Sequence, residues 1–207
     1  MARQIDYYFA LYSPWSYLGH KALLEIVVKN KARLVYKPTP LVGLFAETGG
    51  QVLSQRHEVR QRYRWVELQR WRDKRGVPLK LQPKFWPYAS TLADRCVLAL
   101  NGIQHDPNTF VTLAYKACWE KDLNLADETI IASLLMASGL KAPEILAAAN
   151  SPAVEAAYEQ NKVDAAAAGV FGAPSYVLDG EVFWGQDRLD LLDEALSSGR
   201  KPYAPRP

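Results

Sequence analysis

The segment from Asp6 to Gly19 constrains the fold of this chain more than any other. It contains most of a short aromatic run, residues 5–10, which favours a buried β-strand. Ser13 and Pro14 then end the strand, since serine caps a helix through its hydroxyl and proline suits the first helical position. Apolar residues recur with helical spacing over residues 15–29. The segment therefore predicts a strand, a tight turn and the N-terminus of a helix.

The N-terminus of that helix favours a bound anion, because unpaired backbone N–H groups and the positive end of the helix dipole meet there. Ser13 is expected at this point with its hydroxyl exposed. Two interpretations of Ser13 are open. It is a helix cap and nothing more, which is the commoner role of a Ser-Pro pair, or it contacts a bound group.

The composition indicates one compact domain with a sizeable core and room for an inserted subdomain, since 49% of the 207 residues are hydrophobic. A net charge of +3 is too small to argue for nucleic acid as a partner. The chain shows no leader and no apolar run of about 18 residues, the length that a membrane span needs. We therefore expect a cytoplasmic protein.

The two cysteines, Cys96 and Cys118, lie far apart and on apolar helical patterns. Their spacing matches no metal-ligand motif, so no metal site is predicted. We expect two buried thiols and no disulfide.

The order of the predicted elements is strand, helix, strand, then a long helical stretch, then a hairpin and a last helix. Residues 32–38 form the second strand, and Asp179-Gly180 is a hairpin turn between strands at 175–178 and 181–184. The last helix opens at Gly185. The long stretch contains helices predicted at residues 54–75, 91–101, 107–121, 127–138, 142–150 and 152–168.

This order is typical of an α/β protein in which a helical block is inserted into one α/β unit. The expected boundaries are 1–40 and 169–198 for the α/β domain and 41–168 for the inserted helical domain. Residues 41–51 are either a short helix with a loop or a loop throughout. The basic tail from residue 199 is expected to be poorly ordered.

Three local features have more than one interpretation. The arginines of the helix at 54–75 form either a solvated face, which the interspersed acidic residues favour, or a nucleic-acid face. The aromatic loop at 80–90 either forms the wall of a pocket or plugs the core. The bond between Ala173 and Pro174 is expected to be cis, in a tight turn before a strand, and the alternative is a trans proline at a strand start.

Three separated motifs carry a resemblance that spans residues 5–197: Ser13-Pro14-Trp15-Ser16, Gly169-Val170-Phe171-Gly172-Ala173-Pro174-Ser175 and Phe183-Trp184-Gly185-Gln186-Asp187-Arg188-Leu189. The chain resembles the thioredoxin-like proteins of the bacterial disulfide-oxidase superfamily. Within it, the chain is similar to 2-hydroxychromene-2-carboxylate isomerases and kappa-class glutathione transferases. The resemblance implies a thioredoxin-like fold with a large all-helical insertion. The redox relatives carry cysteine at positions 13 and 16, so two serines exclude disulfide chemistry here.

The same resemblance implies glutathione as the cofactor and a homodimer as the assembly. Ser13 would hold the glutathione thiol as the catalytic residue. The backbone of Ala173, beside Pro174, would pair with the peptide-like middle of glutathione as an added strand does. Gln186 and Asp187 would bind the γ-glutamyl end.

The function that this resemblance implies is a glutathione-dependent cis–trans isomerase acting on a small aromatic substrate, such as a conjugated aromatic acid. The alternatives are a kappa-class-like glutathione transferase and a non-catalytic thioredoxin-like binding module. Phe85, Trp86 and Tyr88 are candidates for the apolar wall around the second substrate. Many isomerases carry a lysine and an Ala-Thr-Gly-Asn run where this chain has residues 46–50, so an altered substrate preference is expected.

Overall fold

A computed structural model describes residues 2–87 and 89–205, and its four strands form one sheet. The strands are β1 (Gln4–Phe9), β2 (Arg33–Pro38), β3 (Ser175–Leu178) and β4 (Glu181–Trp184). They lie in the order β2-β1-β3-β4, with β1 parallel to β2 and β3 antiparallel to both of its neighbours. Helix α1 (Pro14–Lys29) joins the parallel pair, which confirms the predicted strand–helix–strand unit.

The remaining described helices follow in chain order: α2 (Leu41–Thr48), α3 (Glu58–Arg75), α4 (Thr91–Gly102), α5 (Asn108–Trp119), α6 (Glu128–Ala137), α7 (Ala142–Ala149), α8 (Pro152–Ala167) and α9 (Leu189–Ser198). Helices α2 to α8 stand between β2 and β3 in the chain, so the α/β fold with a helical insertion is the one predicted. Helix α3 begins four residues later than predicted. The cause is local, since the His57 side chain accepts a hydrogen bond from the Val59 N–H and caps the helix there.

The centre of the sheet packs through aromatic side chains on neighbouring strands. Tyr7 of β1 lies opposite Tyr36 of β2 and Tyr176 of β3, with ring centroids 5.8 and 5.5 Å apart. The Tyr7 hydroxyl lies 3.2 Å from that of Tyr115 on α5. These contacts join the sheet to the inserted helices in one hydrophobic core.

The hairpin and the tail follow β3. Asp179 and Gly180 both have positive φ, 51° and 86°, as a two-residue hairpin turn requires. The expectation of a poorly ordered tail is wrong for residues 200–203. The Arg200 guanidinium pairs with both carboxylate oxygens of Glu181 at 2.7 and 2.8 Å, and the Tyr203 N–H donates to the same group.

Candidate functional site

A cavity of about 790 Å³ opens at the N-terminus of α1. Its lining includes three of the predicted site residues, Ser13, Trp86 and Ala173, from three distant parts of the chain. Ser13 lies in the turn between β1 and α1, Trp86 in the loop before α4, and Ala173 just before β3. The volume is in the range of a small-molecule site.

Ser13 is the N-cap of α1, as the sequence predicts. Its Oγ accepts a hydrogen bond from the Ser16 N–H at 3.3 Å. Accepting that bond uses a lone pair and leaves the hydroxyl proton available to a ligand. The expectation of an exposed hydroxyl is wrong in part, because Ser13 is only 5% exposed, although it lines the cavity.

The turn that carries Ser13 is held by side chains of the inserted helices and their loops. The Leu11 N–H donates to Asp94 Oδ1 at 3.4 Å, and Trp119 Nε1 donates to the Leu11 carbonyl at 3.0 Å. Trp86 Nε1 donates to the Tyr12 carbonyl at 3.0 Å. The helical insertion therefore sets the position of the turn, which sequence reasoning did not reveal.

Asp94 is a buried carboxyl group beneath this turn and is 0% exposed. Its other oxygen accepts hydrogen bonds from the Ser90 hydroxyl at 2.8 Å and from the Tyr158 hydroxyl at 3.1 Å. Burial raises the pKa of Asp94 from 3.8 to about 7, and the three donors act in the opposite direction. Asp94 can thus change its protonation state near neutral pH.

The peptide bond between Ala173 and Pro174 is cis, as predicted. The Pro174 carbonyl accepts a hydrogen bond from the Gly185 N–H at 2.8 Å, and the Ser175 hydroxyl donates to the Gly172 carbonyl at 2.7 Å. These bonds fix the turn before β3, and Ala173 forms part of the cavity wall there.

Gln186 and Asp187 lie in a short 3-10 turn before α9, and neither is among the described residues that line the cavity. Gln186 is buried, and Arg75 donates both to its side-chain oxygen at 3.0 Å and to its carbonyl at 2.7 Å. Asp187 pairs with Arg188 at 2.9 Å and is partly exposed. A ligand that reaches Asp187 must therefore extend beyond the cavity.

The predicted aromatic wall is present only in part. Trp86 lines the cavity, whereas Phe85 is exposed and is not among the described lining residues. Tyr88 lies outside the described residues. Five other aromatic residues, which sequence reasoning did not assign to a site, line the cavity: Tyr12, Trp15, Phe45, Phe171 and Trp184. The last two pack together with ring centroids 4.6 Å apart.

Three arginines line the cavity. Arg56 lies just before α3, and Arg60 and Arg64 lie in the first half of α3. The interpretation of the arginines as a solvated face is incomplete for these three, because Arg60 is exposed, Arg56 and Arg64 are half-buried, and all three line the cavity. It holds for others of the helix, such as Arg62 and Arg70, which form exposed ion pairs. The signal for Arg60 and Arg64 was their spacing of four residues, which places both side chains on one face of α3, whereas Arg56 lies in extended backbone before the helix.

The three cavity arginines give the cavity wall a positive charge. Burial lowers the pKa of Arg64 to about 10, with a second contribution from Arg56, and burial and Arg60 lower the pKa of Arg56. Among the described lining residues there is no aspartate or glutamate. The positive end of α1 adds to the same potential at Ser13.

Cys96 and Cys118 are buried on α4 and α5 and are not joined by a disulfide, as predicted. Within residues 2–87 and 89–205, no group of three His, Cys, Asp or Glu side chains could hold a metal ion. Every helix in this part of the chain is too short or too polar to cross a membrane.

Comparison with known proteins gives a consistent result. The family model of the DSBA-like thioredoxin domain matches residues 4–197. The chain is 30% identical to a 2-hydroxychromene-2-carboxylate isomerase of Sphingobium xenophagum, over 95% of this chain and 99% of that protein.

Two solved structures share the fold. A 2-hydroxychromene-2-carboxylate isomerase superposes with a TM-score of 0.82 at 24% identity, covering 94% of this chain and 95% of the other. The cytosolic disulfide reductase DsbM of Pseudomonas aeruginosa, solved with GSH, superposes with a TM-score of 0.68 at 15% identity, covering 95% and 98%. The chain belongs to the family of DSBA-like thioredoxin domains and is a homologue of the 2-hydroxychromene-2-carboxylate isomerases.

Proposed function

We propose that this protein is a glutathione-dependent cis–trans isomerase of aromatic carboxylates of the 2-hydroxychromene-2-carboxylate type. The relatives named as isomerases support the reaction class. The solved relative with GSH supports the choice of cofactor.

The observation that carries the proposal is the position of Ser13. Its hydroxyl caps α1 and lines a cavity that holds three arginines. A thiolate is the nucleophilic form of a thiol, and it is stabilised by a hydroxyl donor, by a helix N-terminus and by nearby cations. Bound glutathione would thus be held in its reactive form.

The reaction needs no oxidant, reductant or added proton. The glutathione thiolate adds to the electron-poor C=C bond of the ring-opened keto form of the substrate, in which the hemiketal proton has passed to the phenolic oxygen. The addition forms a C–S bond and moves the electron pair into the conjugated carbonyl. The former double bond is now single and rotates. The electron pair then returns, the C–S bond breaks, and the thiolate leaves unchanged.

The contacts of glutathione follow from the same arrangement. The backbone at Ala173 would pair with its peptide-like middle, beside Pro174. Its γ-glutamyl end would leave the cavity and reach the turn of Gln186 and Asp187, where the ammonium meets the Asp187 carboxylate. Its glycyl carboxylate would meet Arg56 and Arg60 of the cavity wall.

A thiol mass balance tests the proposal. With 2-hydroxychromene-2-carboxylate and a small amount of glutathione, we expect many turnovers per glutathione and no loss of titratable thiol. A one-to-one loss of thiol with chlorodinitrobenzene, without isomerisation, would instead identify a glutathione transferase. Absence of both turnover and glutathione binding by calorimetry would identify a binding module.

A further inference from the structure

Arg64 differs from the other two cavity arginines in its contact with an aromatic ring. Its guanidinium carbon lies 5.3 Å from the ring centroid of Trp86. The Trp86 ring is itself fixed, because its Nε1 donates to the Tyr12 carbonyl next to Ser13. A flat cation over a fixed ring has a defined orientation, and it presents paired N–H donors in one plane.

The cavity carries more positive charge than the glycyl carboxylate of glutathione requires. Three arginines line it, and the described lining residues include no acidic side chain. In the proposed function the glycyl carboxylate is the one carboxylate that glutathione brings to this part of the cavity. At least one cation therefore remains for a second anionic ligand.

The part of the cavity wall that follows α2 contributes no charge. Gly49 and Gly50 line the cavity there without a side chain. The positive charge on this wall comes instead from α3 and the residues just before it. Because burial and Arg56 lower the pKa of Arg64, a bound anion would relieve an unfavourable arrangement of like charges.

We propose that Arg64 and Trp86 together form the subsite for the carboxylate of the second substrate, and that this subsite selects planar aromatic anions over neutral aromatic molecules. The carboxylate accepts two hydrogen bonds from the guanidinium, and the aromatic ring packs among Phe45, Phe171 and Trp184. The role of this subsite in the reaction rests on the proposed function. Its binding preference is measurable without turnover.

The test compares trans-cinnamate with cinnamamide, a neutral molecule of nearly the same shape, by calorimetric titration. We expect the wild-type protein to bind cinnamate about tenfold more tightly, and Arg64→Gln to lose most of that preference. Arg64→Lys, which keeps the charge but not the planar pair of donors, should retain part of it. Glutathione affinity should change less than twofold in Arg64→Gln.

Arg62→Gln is the matched control, because Arg62 lies on the same helix, is exposed and pairs with Glu58 at 2.7 Å. It should behave as wild type. The proposal is overturned if wild type shows no preference, if Arg64→Gln keeps it, if Arg62→Gln loses it equally, or if Arg64→Gln mainly weakens glutathione.

Titrations with and without glutathione separate the two proposals. Cinnamate selectivity in a protein that does not bind glutathione would leave the subsite in place and remove the proposed cofactor. Glutathione binding without cinnamate selectivity would support the proposed cofactor and overturn the proposed subsite.

Discussion

Replacement of Asp94 by asparagine should change how the stability of this protein depends on pH. Asparagine keeps the shape of the side chain and one accepting oxygen, replaces the other oxygen by an amide donor, and cannot ionise. Burial raises the pKa of Asp94 from 3.8 to about 7 in the folded protein. About three pH units correspond to roughly 4 kcal/mol, which is an upper bound for a single group.

The sign follows from proton binding. Between pH 4 and pH 7 the folded protein keeps a proton on Asp94 that the unfolded chain has released. The contribution of Asp94 to the free energy of unfolding is therefore fully present below pH 4 and is lost as the pH rises to 7.

His20 changes the free energy of unfolding in the opposite direction over nearly the same pH range. It is buried, and burial lowers its pKa from 6.5 to about 4, so its contribution is present above pH 6.5 and is lost as the pH falls to 4. The magnitude is about 3 kcal/mol. In the wild-type protein the two contributions largely cancel, and we expect them to give no strong slope between pH 4 and pH 6.5.

Urea unfolding at four pH values, followed by tryptophan fluorescence, measures this directly for wild type and Asp94→Asn. The difference in free energy of unfolding between the two proteins at each pH cancels the contribution of every group that titrates equally in both. The stability of Asp94→Asn relative to wild type should rise by a few kcal/mol from pH 4 to pH 7. Parallel pH profiles for the two proteins would refute the assignment of a protonated, buried Asp94.

Three further predictions concern other positions. Asp187→Ala should weaken glutathione affinity about tenfold or more with a smaller effect on turnover, since one charge-assisted contact is lost; an unchanged dissociation constant by calorimetry would remove Asp187 from the cofactor site. Replacement of both Cys96 and Cys118 by alanine should leave turnover intact, because burial raises the pKa of both thiols; a loss of activity in a folded variant would contradict this. Gly19→Ala should lower the free energy of unfolding by about 1–3 kcal/mol, because the new Cβ would lie 2.7 Å from that of Gln186; an unchanged urea midpoint would contradict the contact.

Short-range features of the fold were predictable from the sequence. Ser13, Pro14 and the apolar spacing after them define a helix start within a few residues, and Asp179-Gly180 defines a hairpin turn. These depend on backbone preference and on capping, which act between neighbours in the chain.

The contacts that build the site join distant residues, and no local pattern encodes them. Asp94, Trp119 and Trp86 bind the turn at Leu11 and Tyr12 across more than 70 positions of sequence. The sequence shows that Asp94 lies in the first turn of a helix, but it does not show which turn of the chain packs against it.

The arginines of α3 show the same limit. A charged helix face in sequence is most often solvated. Whether Arg60 and Arg64 face solvent or a cavity depends on how α3 packs against α1, which tertiary contacts decide. Their spacing identifies a shared helix face, and the structure identifies what that face lines, with Arg56 beside it from the segment before the helix.

The proposed mechanism requires the Ser13 hydroxyl to stabilise a glutathione thiolate. If Ser13 only caps α1, then Ser13→Ala costs about 1 kcal/mol of stability and leaves the acidity of bound glutathione unchanged. If it donates a hydrogen bond to the thiolate, the same change raises the pKa of the bound thiol. A rise of one unit corresponds to about 1.4 kcal/mol and lowers the thiolate fraction about tenfold below that pKa.

Ser16→Ala is the control, since Ser16 is fully buried and is not among the described residues that line the cavity. The measurement is the ultraviolet absorbance of the bound thiolate against pH in wild type, Ser13→Ala and Ser16→Ala. We predict a titration curve moved to higher pH for Ser13→Ala alone, with activity partly restored at higher pH. Three identical curves would show that Ser13 is a helix cap and would contradict the proposed mechanism.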